Sequence, residues 1–120
     1  MIELLRDLPA GVIGIEAVGR VEADDYATVV EPAVRAALQG ADKLRLVYVL
    51  GDGFQGYSAA ASWEDAKLGI GHWDAWERIA IVTDRSWIRD GVKAFGWMFP
   101  GEVRVFPTSA RQDALSWVSL

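Results

Sequence analysis

The strongest constraint on the fold is a pair of short apolar runs, each followed by a stretch with helical spacing. Leu44-Arg45-Leu46-Val47-Tyr48-Val49-Leu50 and Ile79-Ala80-Ile81-Val82 are both nearly continuous hydrophobic segments. Such runs suit strands buried on both faces, which is how parallel sheets are covered by crossover helices. The remaining elements fall around them. Ile2 to Leu8 reads as a first strand, and Pro9-Ala10-Gly11 turns the chain. Gly11 to Val21 reads as a second strand with Ile13, Ile15, Ala17 and Val21 on one face. The short connection predicts an antiparallel pair.

Glu22 to Gln39 is predicted as a helix with Asp24 and Asp25 in its first turn. Tyr26, Val30, Ala33, Val34, Ala37 and Leu38 form its apolar stripe, Pro32 should kink it, and Gly40 should end it. Gly51 to Gly56 reads as a glycine-rich loop, and Ser58 to about Trp73 as a second helix. Arg78 to Asp84 is a strand, and Ser86 is placed to cap a third helix reaching about Trp97. Glu102 to Phe106 is the last strand. Ser109 and Gln112 have capping-box spacing for a final helix through Val118. The order is β-β-α-β-α-β-α-β-α. It predicts one α/β domain over residues 1–120, with a five-stranded, mostly parallel sheet and an antiparallel first strand. If consecutive strands are neighbours, the helices lie mainly on one face. The other face is then less covered and open to a second copy of the chain.

Composition narrows the chemistry. There is no cysteine and one histidine, His72, which excludes disulfides, thiolate zinc sites and two-histidine metal sites. The net charge of −5 argues against binding a nucleic-acid backbone. The charged N-terminal stretch does not read as a signal peptide, and no apolar run is long enough to span a bilayer. The expected location is the cytoplasm, with peripheral contact on the inner membrane face.

Several residues together carry a family resemblance. They are Asp25-Tyr26, Trp63-Glu64-Asp65-x-Lys67, His72, Arg78-Ile79-Ala80-Ile81-Val82-x-Asp84-x-x-Trp87, Gly101-Glu102-Val103-Arg104-Val105-Phe106 and Ala114-x-x-Trp117. In this ordered set the chain resembles the SpoIIAA-like family, also described as STAS/SEC14-domain proteins. The resemblance implies a small α/β domain related to anti-sigma-factor antagonists and to SEC14-type lipid-binding domains. It brings no catalytic residues and no cofactor.

Other patterns have bland readings. Gly51, Gly53 and Gly56 match a dinucleotide-binding spacing, with Asp84 as a candidate ribose ligand. Asp52 would repel phosphates there, and Asp84 lies beyond the usual spacing. Ser58 sits near the position of the regulated serine in anti-sigma-factor antagonists, but the preceding Asp-Ser pair is absent, so it reads as a helix cap. Glu64 and Asp65 are adjacent on a helix and diverge by about 100°, so they do not share a proton.

The aromatic residues are the most informative group. Trp87 and Trp117 are expected in the core, and Trp97-Met98-Phe99 on the surface. Arg85, Arg89 and Lys93 recur at four-residue spacing on the third helix. Aromatics beside cations are how an interfacial helix meets lipid headgroups. The expected site therefore takes a lipid or another apolar ligand between the second and third helices, or meets a membrane surface. Trp63, Ile70 and Trp73 form one wall, Phe95, Trp97, Met98 and Phe99 the other wall or a mobile lid, and Arg89 and Lys93 meet an anionic headgroup. The alternative is a non-catalytic regulatory module that binds protein near Ser58. A homodimer is expected, and no metal or cofactor.

Overall fold

The structure is a computed structural model. It describes residues 1–9, 11–40, 42–58, 75–98 and 101–120. Five strands form one sheet in the order β1-β2-β3-β4-β5. β1 (Ile2–Leu4) runs antiparallel to β2 (Val12–Val21). β2, β3 (Leu44–Tyr57), β4 (Trp76–Thr83) and β5 (Glu102–Phe106) are mutually parallel. Consecutive strands are therefore neighbours throughout, which meets the condition that the sequence left open.

The apolar runs sit at the centre. Leu44, Tyr48 and Leu50 of β3 are buried on one face, with Ile79 and Ile81 of β4 packed beside them. Val47 and Val49 are buried on the other, with Ala80 and Val82. Both faces of both strands are thus covered, which is why these segments lack the alternation of a half-exposed strand.

The first helical segment has three parts. A short α1 (Ala23–Asp25) opens it, a π-helical turn follows at Tyr26–Val30, and α2 (Glu31–Gly40) completes it. The expected kink at Pro32 is replaced by this turn. The Glu31 N–H bonds back five residues to the Tyr26 carbonyl. That slip places Pro32 in the first turn of α2, where no N–H is needed. Tyr26, Val30 and Val34 all remain aimed into the core. The Tyr26 and Tyr48 hydroxyls lie 3.1 Å apart, so they satisfy each other inside it.

The glycine-rich segment is not a loop. β3 continues through it to Tyr57 and pairs with the end of β2, Gly19 opposite Phe54 and Arg20 opposite Gly56. Register shifts along this stretch of β2 accommodate the extra residues. Gly19 and Gly56 have φ of +66° and +124°, which only glycine adopts without strain. Phe54 is buried, which anchors the extension. The backbone of Ser58 donates to the Val21 carbonyl at 2.9 Å, and its side chain is nearly buried. The predicted second helix beyond it, with Trp63, Ile70 and Trp73, lies outside the described residues.

α3 (Ser86–Phe95) and a 3-10 turn (Gly96–Met98) form the third helix. Its capping residue is Arg85, without a side-chain cap, so Ser86 is the first helical residue and not the cap. Trp87 is 60% exposed, which corrects its expected place in the core.

α4 (Arg111–Ser119), preceded by a 3-10 turn at Thr108–Ala110, has no side-chain cap of its own. α2 and Ile88 of α3 lie on one sheet face, while Ala114, Trp117 and Val118 of α4 lie on the other. Leu5 and Leu8 cover Gly14 on that second face so closely that a Cβ there would stand 2.6 Å from the Leu8 side chain. The second face is consequently less open to a second copy than the sequence implied.

Candidate functional site

α3 runs above β5, and the two frame a groove of about 450 Å³. Arg89, Val92, Lys93, Gly96 and Trp97 form one wall, and the successive residues Gly101, Glu102, Val103, Arg104 and Val105 form the other. The alternation of β5 sorts its side chains. Val103 approaches Gly96 beneath α3. Arg104 and Phe106 point to the opposite face, where both meet Trp117.

Gly101 sets the inner end of the groove. A Cβ on it would lie 2.6 Å from the Trp76 carbonyl oxygen and closer still to that of Glu77. The absence of a side chain lets the chain entering β5 lie directly on the start of β4.

The cations of α3 divide by role. Arg85 turns inward: its guanidinium donates to the Phe54 carbonyl at 2.6 Å and lies 6.0 Å from the Phe54 ring centre. It fastens the end of β3 to the start of α3. Arg89 and Lys93 are exposed and make no ion pair among the described residues. Trp97 is 79% exposed, and its indole N–H donates to the Ala94 carbonyl at 3.0 Å, which fixes the ring's orientation.

Asp84 has a structural task rather than a ribose-binding one. Its carboxylate accepts the Thr108 hydroxyl and, at 3.0 Å, the Thr108 N–H. The hydroxyl bond first, then the backbone bond, hold the carboxyl below its ordinary value, and Arg89 adds a smaller effect of the same sign. The contact ties the end of β4 to the start of the last helical segment.

Of the residues expected at the site, Arg89, Lys93 and Trp97 are brought together. Phe95 and Met98 belong to α3 and its 3-10 turn, but their side chains fall outside the description. Trp63, Ile70, Trp73 and Phe99 lie outside the described residues altogether. Sequence reasoning missed Gly101 to Val105 as a wall. Their alternation marked a strand, but nothing local marked that strand as the sheet edge beneath α3. No group of three or more metal-binding side chains occurs among the described residues. No helix among them is long and apolar enough to cross a membrane.

The profile of the SpoIIAA-like family matches residues 12–119. The chain belongs to that family. A solved structure, an uncharacterized protein of the DUF3478 family with a SpoIIAA-like fold from Shewanella loihica PV-4, superposes with a TM-score of 0.77 at 27% identity. The match covers 98% of this chain and 92% of the other. No curated protein matches the chain. The family and the neighbouring fold agree with the expected α/β class and with the family resemblance read from the sequence.

Proposed function

We propose that this SpoIIAA-like domain is a non-catalytic module that works by binding a partner protein, as a regulatory element of the anti-sigma-factor-antagonist type. The observation that carries this reading is the α3–β5 groove. Its charged wall residues Arg89 and Lys93 have no ion-pairing role within the described fold, and Trp97 stands in solvent beside them. Exposed apolar surface rimmed by charge marks interaction sites. The family's fold agrees with such a role. The partner is not expected to engage through phosphorylation of Ser58, whose side chain is nearly buried. Cross-linking of tagged protein in cells of the native host tests the reading. One protein recovered at saturable stoichiometry supports it, and recovery of none sinks it.

A second reading is favoured by the exposure of both Trp87 and Trp97 next to Arg89 and Lys93. On it, the third helix rests on an anionic membrane or holds a lipid-like ligand. An anionic headgroup meets the two cations, and Trp97 beside them reaches the apolar part of the ligand or bilayer. Flotation with anionic and neutral vesicles separates the two readings. Binding to anionic vesicles that is lost in Arg89→Glu/Lys93→Glu supports the membrane version.

A further inference from the structure

β5 is an edge strand. It bonds to β4 on one side and, among the described residues, to no strand on the other. Such an edge presents outward N–H and C=O groups that can template another strand. The groove follows this edge, because five successive residues from Gly101 to Val105 line it. Arg89 and Lys93 stand along its other wall.

The spacing of those cations matches a strand. Helical residues four apart are separated by about 6 Å along the axis. Same-face residues of a strand are separated by about 6.5 Å. A strand laid beside β5 would keep two successive same-face side chains in step with Lys93 and Arg89. Trp97 offers an apolar platform one step further. Arg104 is turned to Trp117 on the opposite sheet face, and Glu102 belongs to the same alternate set of β5, so the charges on the α3 side of the groove are those of Arg89 and Lys93. The groove is therefore locally cationic on a chain of net charge −5, and it selects an acidic guest.

We propose that the groove takes an extended acidic segment of a partner protein, which joins β5 as a sixth strand with alternate carboxylates on Arg89 and Lys93. The proposal rests on the partner-binding reading above and gives that reading a surface and a chemistry. A second copy of this chain is a poor guest. Its own α3 would arrive over the same edge, setting its two cations against this pair. An isolated extended segment carries no such helix.

Fluorescence anisotropy with three short, end-capped peptides tests the proposal. One alternates glutamate with valine, one lysine with valine, and one glutamate with proline. The first should bind about tenfold or more tighter than either of the others, since proline has no N–H for the edge. Arg89→Glu/Lys93→Glu should weaken the glutamate–valine peptide about tenfold or more, with an unchanged circular dichroism spectrum. Equal binding of the proline peptide overturns strand addition, and so does failure of the glutamate–valine peptide to bind at millimolar concentration. Binding of anionic vesicles without binding of the peptide also overturns it, in favour of the membrane. The double variant in the cellular cross-linking experiment separates the two levels. If it captures the same partner as the wild type, the groove assignment falls and the partner reading stands. If neither captures one, both fall.

Discussion

Trp117 should be the most costly single side chain to remove from the second sheet face. It is 9% exposed, packs at 6.0 Å from Phe106, and has Arg104 and Arg78 at 5.0 and 5.4 Å from its ring centre. Its carbonyl accepts the Arg78 guanidinium at 2.9 Å, and Arg45 donates to the next carbonyl, Val118, at 3.0 Å. Both arginines thus cap the end of α4 from neighbouring positions on β3 and β4. Truncating a buried aromatic to alanine costs about 3–5 kcal/mol. Trp117→Leu keeps most of the burial but loses the ring. Two cation–π contacts at about 0.5–1 kcal/mol each and one aromatic pair at about 0.5–1.5 kcal/mol then put its cost near 2 kcal/mol. A domain of this size loses about 4 °C of Tm per kcal/mol. Trp117→Leu should therefore melt about 8 °C lower, and Trp117→Ala about 16 °C lower. Urea titration should show lower midpoints at an unchanged slope. In a double-mutant cycle, Arg104→Gln should cost less in the Trp117→Leu background than in the wild type, by about 0.5–1 kcal/mol. Equal costs for the leucine and alanine variants, or a leucine variant within about 0.5 kcal/mol of wild type, would refute the ring-centred account of how α4 is held.

Two further predictions concern the frame of the groove. Gly101→Ala should destabilise by about 1–3 kcal/mol, because the new methyl must displace β5 from the Trp76 and Glu77 carbonyls. It should also weaken any groove ligand, and a stability equal to wild type would mean that this end of β5 is not seated on β4. The Asp84–Thr108 contact predicts a pH dependence. The folded carboxyl lies below its ordinary value of 3.8, so its contribution is present above that value and is lost as pH falls through the lower folded one. The stability gap between wild type and Asp84→Asn should therefore narrow in acid, and a gap equally wide at pH near 7 and below about 3 would contradict the assigned hydrogen bonds.

The order of elements along the chain was legible because the apolar runs and their spacing are properties of the chain itself, whereas the adjacency of consecutive strands was not. The antiparallel first pair and the parallel remainder follow from connection length and element alternation. Three features were hidden for identifiable reasons. Gly51 to Gly56 has the composition of a loop, and only its long-range pairing with β2, together with burial of Phe54, makes it strand. Trp87 has the look of a core residue, yet Ile88, one position on, faces the core. Rotation of a helix by one residue is about 100°, enough to move a side chain from core to solvent. Pro32 signalled a local disturbance but not its form, because a kink and a π-helical slip relieve the same missing hydrogen bond.

The cationic residues show most clearly where local pattern stops being informative. Arg85, Arg89 and Lys93 look like one stripe in the sequence. In the fold, Arg85 is spent on the Phe54 carbonyl and ring, while the other two face the groove. Arg45, Arg78 and Arg104 carry no helical spacing at all, yet the sheet gathers all three around the end of α4. Four arginines therefore act within the described fold as clamps on carbonyls and rings. Those contacts reduce the set of cations available to a ligand at this helix to Arg89 and Lys93. A partner's acidic residues would be read by these two, at a spacing set by the helix and at a position set by the edge of β5.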